Sequence, residues 1–155
     1  MYIYMVDTVH SAASDPASPQ ACVCLGVRRA ARAVTRAYEE ALKPGDLKAT
    51  QFSLLAYLAL DPAASFADIT EHMAMDQSTL TRNLRPLERR GLVAVRPGAD
   101  RRTRSITLTA KGRRLYQEVL PLWQQVQSRV VERLGRSGWS DLRSALDRLV
   151  GEVQG

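Results

Sequence analysis

The sequence predicts a mainly helical protein that carries one small β-hairpin, and three observations predict it. Long stretches of the chain repeat apolar residues at three- and four-residue intervals, the spacing of one helix face. Two short helical patterns follow one another on either side of "AMD", residues 74–76, with only those three residues between them. Directly after them, "LVAVRP" and "TRSITL" place β-formers on both sides of the turn-like "GADRR". Helix, turn, helix and hairpin in that order make a winged helix-turn-helix, here flanked by further helices at both ends of the chain.

The elements follow in order. Residues 1–19 end in "SAASDPASP", a small-residue and proline stretch that buries too little apolar surface to order itself, so a flexible tail is expected. "QACVCLGVRRAARAVTRAYEEAL", residues 20–42, has helical periodicity, with Arg28, Arg29, Arg32 and Arg36 on other faces than its apolar residues. Pro44 and Gly45 end it. A second helix, roughly 47–60, carries Phe52, Leu55 and Ala59 and stops at "DP". Ser65 followed by Asp68 makes a capping box for a short helix whose inner face is Phe66, Ile69 and Met73. After the break at Ala74 to Asp76, Asp76 caps the next helix, which buries Leu80, Leu84 and Leu87. Pro86 lies inside that helix, where a kink rather than an end is expected. Arg89 and Arg90 suit the negative end of its dipole, and Gly91 suits its C-terminal cap. Past the hairpin, Leu115, Val119, Leu122, Val126 and Val130 mark a long helix, and Leu142, Leu146 and Leu149 mark a last one over about 140–153.

Composition narrows the function. The 155 residues suit one domain or one domain with an extension, and 22 Lys and Arg stand against 16 Asp and Glu. Nineteen of the 22 are arginine, which recognises phosphate in a planar, bidentate way. The charge is also local, because residues 76–104 hold eight arginines and three acids, net +5, which leaves +1 for the rest of the chain. No apolar run is long enough for a membrane span, and the apolar first nine residues lack the basic start of an export signal, so a cytoplasmic protein is expected. Cys22, Cys24, His10 and His72 lack metal-ligand spacing, and neither metal nor cofactor is expected. No Gly-rich phosphate loop and no set of nucleophile, base and orienter is found, and His72 suits a surface position better than a catalytic one, so the chain is not expected to be an enzyme.

The candidate DNA-binding residues are therefore Gln77, Ser78, Thr79, Thr81, Arg82 and Arg85 on the second helix of the pair, with Arg96, Asp100, Arg101, Arg102 and Arg104 on the hairpin. The helix suits the major groove, and a two-stranded finger can deliver arginine into the narrow, negative minor groove of A·T-rich DNA. A winged helix used for protein contacts alone is the alternative, and strong salt dependence of DNA binding discriminates against it.

"DQSTLTRNLRPLERRGLV" followed by "DRRTRSITLTAKG" resembles the multiple antibiotic resistance regulator (MarR) family of bacterial winged-helix transcription factors. The resemblance runs from about Cys22 to Leu149, and its specific features are the D-x-R wing and the "LT-x-x-G" after it. It implies a homodimer on a pseudo-palindromic operator, held by terminal dimerisation helices in 20–46 and 109–155 around a winged helix-turn-helix domain over 47–108. It implies that Asp100 braces Arg102, that Arg102 enters the minor groove, and that the protein is a repressor released by a small-molecule effector. A phenolic or other aromatic effector is expected, with Trp123, Tyr38, Phe52 and Met73 as candidate pocket residues. The peroxide sensors of the family add a second reading, since Cys24 stands fourteen residues before Tyr38, a spacing similar to theirs. Arg28 and Ala49 fall where those sensors carry extra tyrosines; Arg28, one turn from Cys24, would stabilise its thiolate. Cys22 is not expected to pair with Cys24 within one chain, because residues two apart on a helix point about 200° from each other.

Overall fold

The computed structural model describes residues 15–62, 64–97 and 104–154. Its chain divides into two units at Ala37 and Tyr38, inside the first helix. Of the expected tail, residues 1–14 lie outside the described residues, whereas Asp15 holds a turn in which the Ser18 amide donates to its carbonyl at 2.9 Å. A 3-10 turn over Pro19–Ala21 follows, so helix α1 (Val23–Leu42) begins later than its periodicity suggested. The Gly26 amide donates to the Cys22 carbonyl at 3.0 Å, which puts Cys22 at the cap, outside the helix. In the first unit α1 is exposed throughout, Arg28, Arg29, Arg32 and Arg36 included, and Val23, Leu25, Val27 and Val34 face solvent with them.

In the second unit a 3-10 turn over Lys43–Gly45 and a left-handed Asp46 (φ 48°) lead into α2 (Ala49–Leu60). Then come α3 (Phe66–His72), α4 (Gln77–Arg89), β1 (Val93–Pro97), β2 (Arg104–Leu108) and α5 (Ala110–Gln154). The last expected helix is present: the non-helical Gly135 (φ 72°, which suits glycine) divides the α5 span into two helices, so the second begins a few residues before the expected residue 140. One core joins Leu54, Leu55 and Leu58 of α2, Ile69 of α3, Leu80, Leu84 and Leu87 of α4, Ile106 of β2 and Val119 of α5.

Helix α4 runs through Pro86 to Arg89. Its three stripe leucines are at most 2% exposed, and such burial contributes about 1.5–3 kcal/mol each. One interior proline costs about 3 kcal/mol, so packing wins over local propensity. The strands pair antiparallel, with Val93 opposite Leu108, Val95 opposite Ile106 and Arg96 opposite Ser105. Ser65 bridges to Ser105, so the segment entering α3 is stitched to the wing. No helix among the described residues is long and apolar enough to cross a membrane.

Candidate nucleic-acid interface

The interface is built on two local caps. Ser65 Oγ accepts from the Asp68 amide at 3.2 Å while Asp68 Oδ2 accepts from the Ser65 amide at 2.8 Å, the reciprocal box expected from their spacing. These bonds hold the Asp68 carboxyl below the ordinary carboxylate range. Helix α3 then ends in a Schellman turn: the Met75 amide reaches the Thr70 carbonyl (3.0 Å) and the Ala74 amide the Glu71 carbonyl (3.1 Å), with Ala74 left-handed at φ 49°. This turn aims Asp76 at the start of α4.

Asp76 accepts from the Thr79 amide at 2.7 Å, from the Ser78 hydroxyl at 2.6 Å and from the Thr79 hydroxyl at 2.9 Å. Those donors, the Ser78 hydroxyl first, keep its carboxyl far below the ordinary carboxylate range. Its negative charge sits where a phosphate would otherwise meet the positive end of the helix. The Thr79 hydroxyl in turn accepts from Arg82 Nη2 at 2.9 Å, so Asp76, Thr79 and Arg82 form one chain of hydrogen bonds. Thr81 donates its hydroxyl proton to the Gln77 carbonyl at 2.8 Å.

The six helix residues named from the sequence therefore divide. Ser78, Arg82 and Arg85 recur at i, i+4 and i+7, point directly away from the leucine stripe and are exposed, as is Gln77 beside them. Thr79 and Thr81 are half-buried on the flanks. Chemically, Ser78 and Thr79 keep acceptor lone pairs free for base amino groups, while Arg82 and Arg85 keep donors for guanine or phosphate. On the wing, Arg96 is exposed on β1, and Arg104 opens β2 opposite Pro97. Asp100, Arg101 and Arg102 lie outside the described residues.

Sequence reading missed what fastens α4 at its other end. Arg90, expected only to complement the helix dipole, donates from Nη2 to the Gly45 carbonyl at 2.9 Å and from Nη1 to the Asp46 carbonyl, with the Asp46 carboxylate 3.7 Å from Nη1. The amides of Gly91 and Leu92 close a second Schellman turn on the carbonyls of Glu88 (2.8 Å) and Leu87 (2.9 Å), and Gly91 has the positive φ, 69°, that such a turn requires. Lys111 Nζ reaches the Arg90 carbonyl at 2.7 Å, and the Thr109 hydroxyl donates to the Gly91 carbonyl at 2.7 Å. Thr109 also accepts from the Gly112 amide at 3.0 Å, capping α5. A Cβ on Gly112 would stand 2.0 Å from the Leu92 carbonyl oxygen, which explains the glycine of "LT-x-x-G".

Of the candidate pocket residues, Tyr38, Phe52 and Trp123 meet in one aromatic cluster, with ring centroids 6.1 Å (Tyr38 to Trp123) and 5.6 Å (Phe52 to Trp123) apart. Tyr116 joins it at 5.7 Å from Phe52, a member that sequence reading had not picked, and Met73 packs against the core. Tyr38 donates its hydroxyl to Gln127 Oε1, and partial burial pushes its pKa up. His72 packs against Tyr57 with the rings tilted by 35° and their centroids 4.4 Å apart. Cys22 and Cys24 are free and exposed. Cys22 stands at the cap rather than inside α1, so its direction relative to Cys24 is not fixed by the 100° rotation per helical residue.

Comparison with known proteins agrees with this architecture. Residues 45–103 match the MarR family. The chain is 40% identical to the transcriptional regulator MosR of Mycobacterium tuberculosis, solved in complex with DNA; the match covers 86% of this chain and 96% of that one, with a TM-score of 0.79. The repressor CouR bound to a 23-mer DNA duplex is 26% identical, covers 87% and 96%, and has a TM-score of 0.75. CouR from Rhodococcus jostii RHA1 has also been solved with p-coumaroyl-CoA (22% identity, 83% and 91% coverage, TM-score 0.72). The HTH-type transcriptional repressor Rv2887 of M. tuberculosis is 32% identical over 111 residues, 70% of this chain and 79% of its own. The fold, the recognition helix and these relatives together show that the chain belongs to the MarR family of winged helix-turn-helix, DNA-binding transcriptional regulators.

Proposed function

We propose that this regulator acts as a homodimer that represses transcription from a pseudo-palindromic operator and leaves it when a small-molecule effector binds. The observation that carries the reading is the exposed Ser78, Arg82 and Arg85 face of α4, opposite a fully buried leucine stripe and next to a basic wing. Residues 47–108 form the DNA-reading domain, and the helices within 20–46 and 109–155 dimerise. Gln77, Ser78, Thr79, Thr81, Arg82 and Arg85 read the major groove. Arg96, Arg101, Arg102 and Arg104 supply the wing's charge, with Asp100 bracing Arg102. The resemblance to CouR supports an aromatic effector, for which the Tyr38, Phe52, Trp123 cluster is the candidate seat. Selecting fragments of the source genome with the purified protein tests the reading. It predicts enrichment of a two-fold symmetric sequence whose binding weakens steeply with salt; unselective or salt-insensitive binding would refute it.

A second reading has its own observation: Cys22 and Cys24 are both exposed, one at the cap and one in the first turn of α1. In it, oxidation of Cys24 by a hydroperoxide triggers release. Titrating the protein on its operator with organic hydroperoxide decides, because release abolished by Cys24→Ser supports thiol sensing and release unaffected by it favours the ligand.

A further inference from the structure

We infer that Arg90 is a positioning residue for DNA recognition, which sets the pitch of α4 by tying its C-terminal end to the turn between α1 and α2. The inference rests on the DNA-binding reading above. Helix α4 is held against the core by Leu80, Leu84 and Leu87, and such contacts fix which face of a helix is buried while resisting small changes of tilt only weakly, because they are non-directional. Its N-terminal hydrogen bonds, around Asp76, are local to the helix and anchor it to nothing else. Direction comes from the other end. Arg90 gives its guanidinium fork to two consecutive carbonyls, Gly45 and Asp46, and its own carbonyl takes the Lys111 ammonium at 2.7 Å.

The receiving turn is itself rigidly placed. Gly45 is buried so closely on α5 that a Cβ there would stand 2.6 Å from Val119 Cγ1, and the left-handed Asp46 turns its carbonyl toward Arg90. Arg90 thus fastens α4 to a block made by the turn and the start of α5. The lever is long: from Arg90 to Gln77 the helix rises about 20 Å at 1.5 Å per residue, so a tilt of about 3° moves its N-terminal end by about 1 Å. Bidentate contacts to base edges tolerate little of that, whereas contacts to phosphates by flexible arginines tolerate more.

The same geometry takes Arg90 out of the phosphate-binding set. Its side chain is one-third exposed and already meets two carbonyls and the Asp46 carboxylate. Loss of Arg90 should therefore weaken specific binding without removing a phosphate contact.

Fluorescence anisotropy with the selected operator and with poly(dI-dC), over a salt series, tests this in the full-length protein. Arg90→Gln is expected to lower operator affinity by about tenfold, the size of one good base contact, with poly(dI-dC) affinity and the salt slope unchanged. Lys111→Gln, which loosens the same joint from the α5 side, is expected to show the same pattern and serves if Arg90→Gln does not fold. A salt slope reduced by about 0.9, with both affinities falling together, would make Arg90 an ordinary phosphate contact and overturn the inference. Unchanged operator affinity in both variants would overturn it too. Failure of the wild-type protein to bind either DNA would instead overturn the DNA-binding reading itself.

Discussion

At the scale of single residues, Asp76 does more than its capping position suggests. Three donors converge on a carboxylate that is exposed yet held far below its ordinary pKa. A group with a depressed folded-state pKa stabilises the fold above its unfolded value, near pH 4, and loses that contribution as pH falls toward the folded value. Acid unfolding of the wild type should therefore be steeper below about pH 4 than that of Asp76→Asn, and the two should converge at the lowest pH; parallel acid limbs would contradict the linkage. Ala74 offers a converse test. A non-glycine residue in the left-handed region costs about 1–2 kcal/mol, and glycine's extra unfolded-state freedom returns about 0.5–1 kcal/mol of that. Ala74→Gly should stabilise the protein by about 0.5–1 kcal/mol in urea unfolding, with the midpoint rising at constant slope. Both sites differ in legibility. Asp76, Ser65 and Asp68 could be read from the sequence because their partners stand two or three residues away. Arg90 could not, because the carbonyls it binds lie 44 and 45 residues earlier and nothing local marks them.

At the scale of elements, the helix pair and the hairpin were legible because each has its own period, 3.6 or 2, and its own breakers. The boundary between the last two helices was placed late, since the chain turns at Gly135, where the apolar pattern itself shows no break. The seam joining α4, β1 and α5 was legible only as a motif, "LT-x-x-G", whose physical content is the Thr109 cap and the close approach of Gly112 to Leu92. Gly112→Ala should cost about 1–3 kcal/mol or more, since the obstruction is a backbone carbonyl that cannot rotate away. A melting temperature unchanged from wild type would show that the seam has slack. Helix and wing should also separate by function. Arg82→Ala should change which bases are preferred, because the full base code lies in the major groove. Arg102→Ala should lower affinity with little change of preference. Binding selections on each variant check both, and unchanged affinity in Arg102→Ala would remove the wing from the interface.

At the scale of the whole molecule, apolar surface is left that the core does not use. Beyond Gly135, Leu142, Leu146 and Val150 recur every four residues and are 40%, 43% and 44% exposed; Val153 after them and Leu134 just before Gly135 are exposed too. In the first unit Val23, Val27 and Val34 share one face of α1, opposite Arg28, Arg32 and Arg36. Full burial of such side chains is worth about 1.5–3 kcal/mol each, so covering half-exposed ones gains about 1 kcal/mol apiece, or about 10 kcal/mol for the five α5 residues of two copies. Association itself costs about 4–15 kcal/mol, so in the homodimer proposed above the α5 stripe would offset a cost in the middle of that range. Leu142→Glu combined with Leu146→Glu should therefore yield a monomer by sedimentation, with the core around Leu54 and Leu80 still folded by circular dichroism. Two linked recognition helices bind about 10²–10⁴ times more tightly than one, and the monomer should lose affinity on that order. Its footprint should shrink from two half-sites, with centres about 10 to 10.5 base pairs apart, to one. A double variant that stays dimeric and protects the whole operator would mean that these stripes are not the interface, and that one surface elsewhere on the chain holds the two copies together.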